Sequence, residues 1–307
     1  MADVLPPAPV IVFGYNRPDH LRQTLSALAA ADGARGSPLW LFCDGAKPGA
    51  DMARIDAVRA VANDPVWDTH FASVTRIMAD QNRGLAASII GGVSRVLERA
   101  QTAIVIEDDL IVAPDFLQFM NDCLTFYQDD PKVGSITGFC PLSTLPAGYS
   151  ADVMAVPRNC SHGWATWRDR WEQVDWDAPG AARIRDDAAL RRKFNAAGSD
   201  RAYRLRRQLE GRIYSWSIRF GLWQFLDGRH TIYPSQNRIR NIGFDGSGVH
   251  TRAGQEINHE IAAKPYTLEK VSENNDILDA FHQVYSGSPA RRAVRWLRAG
   301  LQGISPR

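Results

Sequence analysis

The first 140 or so residues alternate short aliphatic and β-branched runs with stretches whose apolar positions recur every three or four residues, a pattern that few folds accommodate. Strand-like runs fall at residues 9–13, 39–43, 74–78 and 103–106, separated by helical patterns at 18–31, 52–61 and 85–99. In the first helical stretch Leu21, Leu25 and Leu28 share a face, and Pro18 suits a first turn, where its missing N–H costs nothing. A helix at 114–127 and a strand at 133–137 continue the series. The pattern predicts an α/β fold with a mainly parallel sheet covered by helices. Such sheets bind ligands outside the carboxyl ends of their strands.

One of those ends is chemically distinctive. The apolar run Ala103-Ile104-Val105-Ile106 closes with Glu107-Asp108-Asp109, three like charges at the mouth of a sheet. They repel one another unless a cation, hydrogen-bond donors or solvent offset them, and hard oxygen donors suit Mg2+ or Mn2+. A solvated acidic turn is the plainer alternative. If extended geometry persists, Glu107 and Asp109 face one side of the sheet and Asp108 the other. The earlier strands end in Tyr15-Asn16-Arg17, in Asp44-Gly45 and in residues 80–84, so these groups converge on one cleft. A carboxylate for a base or ribose, a basic residue for phosphate and a metal site together fit a nucleoside diphosphate.

Beyond Gly138 the alternation fails. Residues 158–180 are dense in Trp, Arg and Asp, 186–227 read as helical, 230–233 as one more strand, and 241–248 as a Gly-rich loop. A net charge of +2 excludes a globally basic nucleic-acid binder. Cys43, Cys123, Cys140 and Cys160 form no C-x-x-C pair, which argues against a zinc cluster or disulfide framework. Asp3 and the prolines at 6, 7 and 9 are unlike a secretory signal, and no apolar run reaches the ~20 residues of a membrane span, so the expected location is cytoplasmic. At 289–304, Val294, Leu297, Leu301 and Ile304 can line one helical face, with Arg291, Arg292, Arg295 and Arg298 supplying charge. That basic amphipathic helix suits docking on the protein's own core, peripheral contact with the cytoplasmic membrane face, or a partner helix.

Several motifs, in order, resemble the GT-A glycosyltransferases and more narrowly the branch containing N-acetylglucosaminyltransferase I and its bacterial relatives. They are Tyr15-Asn16-Arg17-Pro18, Asp44, Asn82-Arg83-Gly84-Leu85, Glu107-Asp108-Asp109, Gly163-Trp164-Ala165-Thr166-Trp167, Ser215-Trp216 and Asn241-Ile242-Gly243-Phe244-Asp245. The resemblance covers residues 9–250 and implies a Rossmann-like GT-A fold with an acceptor-side region of helices and loops. It implies a metal-dependent transferase using Mn2+ or Mg2+ and a nucleotide-sugar donor, UDP-linked, with a carbohydrate or glycolipid acceptor and no nucleic acid. Bacterial surface polysaccharide or glycolipid synthesis is the setting it suggests. Asp44 then lies near the base, Asn82, Arg83, Gly84 and Leu85 near the ribose and base, Asp108 near the ribose and Glu107 near the donor sugar. Tyr15, Asn16 and Arg17 belong to the same nucleotide-sugar site. Asp109 is the implied metal ligand, with His250 as a second metal or phosphate ligand after the Gly-rich loop, which could act as a lid. His162, Gly163, Trp164, Ser215 and Trp216 are the expected acceptor or sugar contacts. Residues 1–150 form the nucleotide-sugar half, 151–288 the acceptor-side half, and 289–307 the basic tail.

Inverting transfer, which the resemblance favours, needs a group to take the acceptor's proton. Where the N-acetylglucosaminyltransferase I pattern has an Asp before a Trp, this chain reads Tyr214-Ser215-Trp216. Asp175, Asp177 and Glu210 are candidate bases, with Glu172 and Asp245 behind them. A nucleotidyltransferase or a non-catalytic carbohydrate-binding protein are the alternatives, although a Gly-rich phosphate loop with a following Lys is missing after the first strand.

Overall fold

In the computed structural model, residues 5–245, 261 and 263–286 are described. Strands β1 (Val10–Gly14), β2 (Pro38–Cys43), β3 (Ser73–Met78) and β4 (Thr102–Glu107) are parallel, with helices α1 (Pro18–Ala29), α2 (Met52–Asn63) and α3 (Leu85–Leu97) between them. Next come β5 (Leu110–Val112), α4 (Phe116–Phe126), β6 (Val133–Thr137), β7 (Val153–Val156) and β8 (Trp164–Trp167). Helices α5 (Arg168–Trp171), α6 (Ala181–Asp186), α7 (Ala188–Phe194), α8 (Asp200–Leu209) and α9 (Trp216–Leu226) follow, then β9 (His230–Pro234), β10 (Ile239–Asn241) and α10 (Asn275–Ser286).

Eight strands form one sheet in the order β3-β2-β1-β4-β8-β6-β9-β7, and all but β7 and β8 point the same way. The α/β class and the mainly parallel sheet flanked by helices match the sequence expectation. Period-two alternation builds both layers. Val10 and Val12 of β1 and Ile104 and Ile106 of β4 join one core with α1, α2 and α4, whereas Ile11, Phe13, Ala103 and Val105 join a second core with α3 and α9. Each of the Val, Ile and Phe side chains among them contributes about 1.5–3 kcal/mol by leaving water.

Connectivity brings two strand ends together. The chain leaves β1 for β2 on one side and returns to β4 on the other, so β1 and β4 lie side by side with their carboxyl ends at the edge where such sheets bind ligands, and α1 and the segment after β4 pack on the same face. Strand β8 enters antiparallel between β4 and β6, which brings the residues just before Trp164 to that same edge. A separate two-stranded sheet, β5 with β10, folds the chain after Asp109 against residues 239–241.

The expected helical stretch 186–227 is a chain of short helices, α6 to α9, broken where residues such as Gly198 and Gly211 adopt positive φ. All four cysteines are buried and free of disulfides. No described helix is long and apolar enough to cross a membrane. The basic stretch 289–304 lies outside the described residues, as do His250 and residues 246–249 of the Gly-rich loop.

Candidate active site

Strand β4 stops at Glu107, and Asp108 and Asp109 make a tight turn into β5. Thr24 Oγ1 on α1 donates to the Asp108 carbonyl at 2.8 Å and holds the turn against the helix. Because extended geometry ends there, Asp108 and Asp109 do not face opposite ways as alternation would have them. Both carboxylates meet Arg17, whose Nη2 donates to Asp108 Oδ1 at 2.5 Å and to Asp109 Oδ2 at 3.0 Å. Arg17 precedes α1, where Pro18 starts the helix, so the β1 loop carries the cation and the β4 turn carries the acids.

One guanidinium does not balance these acids. Burial, then the charges of Asp109 and Asp108, pushes the Glu107 carboxyl up to about 8 despite Arg17. Burial raises Asp108 to about 6, with Arg17 pulling it back and Asp109 pushing it further up. The same acids overcome desolvation to raise Arg17. A buried, oxygen-only donor set with surplus negative charge fits a hard divalent cation. Among the described residues no group of three or more His, Cys, Asp or Glu side chains is arranged to hold one. An ion here would therefore take one or two protein carboxylates and complete its shell with phosphate oxygens and water.

Residues after β10 roof the acids on one side. Ile242 N donates to the Asp109 carbonyl at 2.8 Å, and Gly243 N to Asn241 Oδ1 at 2.7 Å. A Cβ on Gly243 would lie 2.2 Å from Asp109 Oδ2 and 2.9 Å from Arg17 Nη1, so only glycine allows this approach. His20 Nε2 stands 3.3 Å from both the Ile242 carbonyl and Asp245 Oδ2, tying the roof to α1.

Asp44, one strand away, organises the loop after β3. Its Oδ1 accepts from Gly45 N and Arg83 N at 2.9 Å, and its Oδ2 from Asn82 Nδ2 and Gly84 N at 3.0 Å. Asn82 also donates to the Gly45 carbonyl at 2.8 Å. The two chains meet so closely that a Cβ on Gly45 would lie 2.3 Å from the Gln81 carbonyl carbon. With four donors already on it, Asp44 serves mainly to shape residues 82–84, leaving Leu85, 47% exposed, at the start of α3. Tyr15 accepts from Lys47 N at 3.3 Å, and the Lys47 ammonium lies 5.4 Å from its ring centre. Asn16 is half-buried in the same loop as Arg17.

Of the residues expected to contact an acceptor, His162 and Gly163 sit at the carboxyl edge just before β8. Thr137 Oγ1 is 3.0 Å from the His162 carbonyl and 3.1 Å from that of Gly163. Gly163 has φ +54°, and a Cβ there would lie 1.9 Å from Ile239 Cδ1. His162 packs edge-on against Phe139, with centroids 4.9 Å apart, and its buried Nδ1 has no partner among the described residues. Burial lowers its pKa, opposed by the charge of Asp109.

Trp164 and Trp216 do not offer sugar platforms as they stand. Trp164 is 1% exposed, stacked 4.7 Å from Trp216 and 5.7 Å from Trp171, and these rings fill the core between α3 and α9. Ser215 caps α9, its Oγ accepting from Ile218 N at 3.5 Å and lying 3.2 Å from Ser217 Oγ. Asp175, Asp177 and Glu210 are exposed with local partners. Asp175 accepts from Asp177 N, and Glu210 pairs with Arg206 and Arg212.

No protein-family model matches the chain. Among solved structures it is similar to a mannosyltransferase from Pyrobaculum calidifontis in complex with GDP-Man and Mn2+, at 14% identity and TM-score 0.43 over 74% of each chain. It is also similar to a cytidylyltransferase from Leptospira borgpetersenii, at 11% identity and TM-score 0.36 over 55% of this chain and 63% of that one. At these scores neither likeness bears on activity.

Proposed function

We propose that the protein is a metal-dependent glycosyltransferase that moves a sugar from a nucleoside-diphosphate donor, UDP-linked, to a hydroxyl of a carbohydrate or glycolipid acceptor, with inversion. The observation that carries this reading is the charge cluster at the carboxyl ends of β1 and β4, where Arg17 meets Asp108 and Asp109 beside the loop that Asp44 shapes. The narrower likeness to the N-acetylglucosaminyltransferase I branch rests on the sequence motifs alone.

In this reading Asp109 holds the divalent ion, assisted by His250, while Asp108 and Glu107 meet the ribose and the donor sugar. A bound ion supplies Lewis-acid stabilisation of the leaving diphosphate. Arg17, freed from its two carboxylates, adds a bidentate cation for a phosphate oxygen pair. Residues 82–84, rigidified by Asp44, give the nucleoside a preformed wall, which lowers the ordering cost of binding. The acceptor proton goes to a carboxylate of the second half. Asp175, Asp177 and Glu210 are the proposed bases, and loss of transfer with donor binding retained in the Asn or Gln variant is the expected mark of the one that acts.

Calorimetric titration of UDP, GDP and CDP, with and without Mn2+, on the wild type and on Asp109→Ala tests the reading. Mn2+-dependent binding of one nucleotide, lost in the variant, together with nucleotide release from the matching sugar donor, is the expected result. Folded protein that binds none of them would leave Glu107-Asp108-Asp109 as an acidic strand cap, and pyrophosphate release from a nucleoside triphosphate would make the protein a nucleotidyltransferase.

A further inference from the structure

A cavity of about 150 Å³ lies on the acceptor side, roughly ten times the room that one water needs on the same measure. Its walls come from residues 158–162, from Asp200, Arg201 and Arg204 of α8, from the start of α9 and from Tyr285 of α10. Strand β7 ends beside Thr231 at the amino edge of the sheet, and β8 begins beside Thr137 at the carboxyl edge. Residues 157–163 therefore cross from one edge to the other, and the His162 end of the cavity lies at the carboxyl edge, the edge at which β4 ends in Glu107.

Three guanidinium groups line this space against one carboxylate, a surplus of two positive charges. Arg158 is spent in part on Asp200, with bonds of 2.8 and 2.9 Å, and lies 3.6 Å over the Tyr285 ring. Arg201, 2% exposed, has only carbonyl partners, those of Pro157, Phe194 and Gly221, at 2.6, 2.8 and 3.2 Å. Burial and the neighbouring Arg158 cation bring its pKa down to about 9, which leaves it charged at neutral pH. Arg204, exposed at the rim one helical turn on, has no ion pair or hydrogen bond among the described residues. Gathering like charges around a half-enclosed space is costly unless an anion joins them.

We infer that this arginine-lined cavity binds the phosphate of a phosphate-ester acceptor and so presents that acceptor's hydroxyl toward the acidic strand end. A phosphate monoester carries about −1.5 to −2 at neutral pH and matches the surplus of two, whereas a carboxylate matches half of it. Arg204 supplies the free fork for two phosphate oxygens, Arg201 a fixed field behind them, and Ser161 and Ser217 hydroxyls along the wall. The role as acceptor site rests on the transferase reading. The anion chemistry rests on the cavity alone.

The full chain is titrated calorimetrically, without nucleotide or metal, with methyl phosphate and with methyl glucuronoside as the carboxylate control. Arg204→Glu is expected to weaken methyl phosphate binding at least tenfold, and Arg204→Lys to keep most of it. Arg17→Gln, which removes the cation paired with Asp108 and Asp109, is expected to stay within twofold of the wild type. Glucose 6-phosphate and butyl phosphate, titrated in turn, distinguish a sugar-borne from a lipid-like phosphate by which binds more tightly. Binding lost in Arg17→Gln but kept in Arg204→Glu, a carboxylate held as tightly as the phosphate, or folded wild type that binds no phosphate ester would each overturn the inference. Nucleotide titrations run separately, so a failed donor site and a failed anion site give different patterns.

Discussion

Replacing Asp44 by Asn is nearly isosteric, yet it should unfasten residues 82–84, the loop proposed as the nucleoside wall. The carboxylate now accepts four hydrogen bonds, two on each oxygen, at 2.9–3.0 Å. An amide, whichever way it turns, keeps one acceptor atom and sets an NH2 group against two donors. Hydrogen bonds to a charged group contribute about 1.5–3 kcal/mol each, so two lost bonds total about 3–6 kcal/mol. Partial exposure lets water replace some of this, and about 2–4 kcal/mol is the expected local deficit. Residues 82–84 can detach while β2 and β3 stay paired, so the deficit belongs to a local opening and not to global unfolding. Amide hydrogen exchange reads that opening directly. Protection at Gly84, or at Arg83 if the amide is turned, should fall by about 30- to 1,000-fold, since ~1.4 kcal/mol is a factor of ten. The urea midpoint should move little, and nucleotide affinity should drop at least tenfold. Unchanged exchange at both amides in a folded Asp44→Asn protein would refute the view that this carboxylate fastens the loop.

Two further outcomes follow from buried groups outside the charge cluster at Arg17. Burial raises the Asp200 carboxyl, but the Arg158 charge and hydrogen bonds outweigh it and leave its pKa below the ordinary 3.8. That stabilisation is fully present above about pH 4 and is lost as pH falls through the lower folded value. Asp200→Asn, which strands Arg158, should cost about 3–5 kcal/mol at pH 7 in urea melts, and its deficit against the wild type should shrink below pH 4; a deficit constant from pH 7 to 3 would remove the pair from the stability account. Trp164→Ala should cost about 3–5 kcal/mol by opening a cavity among Trp216, Trp171 and Phe220, with any lost activity tracking the folded fraction measured by circular dichroism. A fully folded variant with a selective loss of acceptor use would instead give that ring a place in the site.

The first half of the fold was legible because its elements are local. The unbroken apolar runs of β1 and β4 mark strands covered on both faces, the Leu21, Leu25, Leu28 stripe marks the face of α1 that meets the core, and the structure keeps these elements within a residue or two. Strand β8 was not legible. Its Trp164 to Trp167 segment looks like an aromatic patch, and it becomes a strand only through pairing with β4 and β6, which no local pattern announces. The same holds for β5, three residues long and completed by β10 more than a hundred positions later. At the site, the residue types at the strand ends were readable, but their orientation was not. The turn at Asp108 breaks alternation and turns two acids onto Arg17, and the saturation of Asp44 depends on a loop from another strand. The arginine cavity was invisible for a similar reason. Arg201 and Arg204 share a helix face at i, i+3, a signal that could have been read, but Arg158 joins them only through the crossing of residues 157–163.

Gly243 sets a size limit at the acids. Its backbone covers one face of the Asp109 carboxylate so closely that not even a methyl group fits between them. A cation sharing that carboxylate must take its room from the other face or lift residues 242–243, and Ile242 is bonded to the Asp109 carbonyl. Small ions with bonds of about 2.1 Å, such as Mg2+, ask less displacement of that roof than Ca2+, with bonds of about 2.4 Å and a larger shell. The glycine would thus make the strand end a sieve for ionic radius, with discrimination enforced by the backbone and not by the choice of ligand atoms.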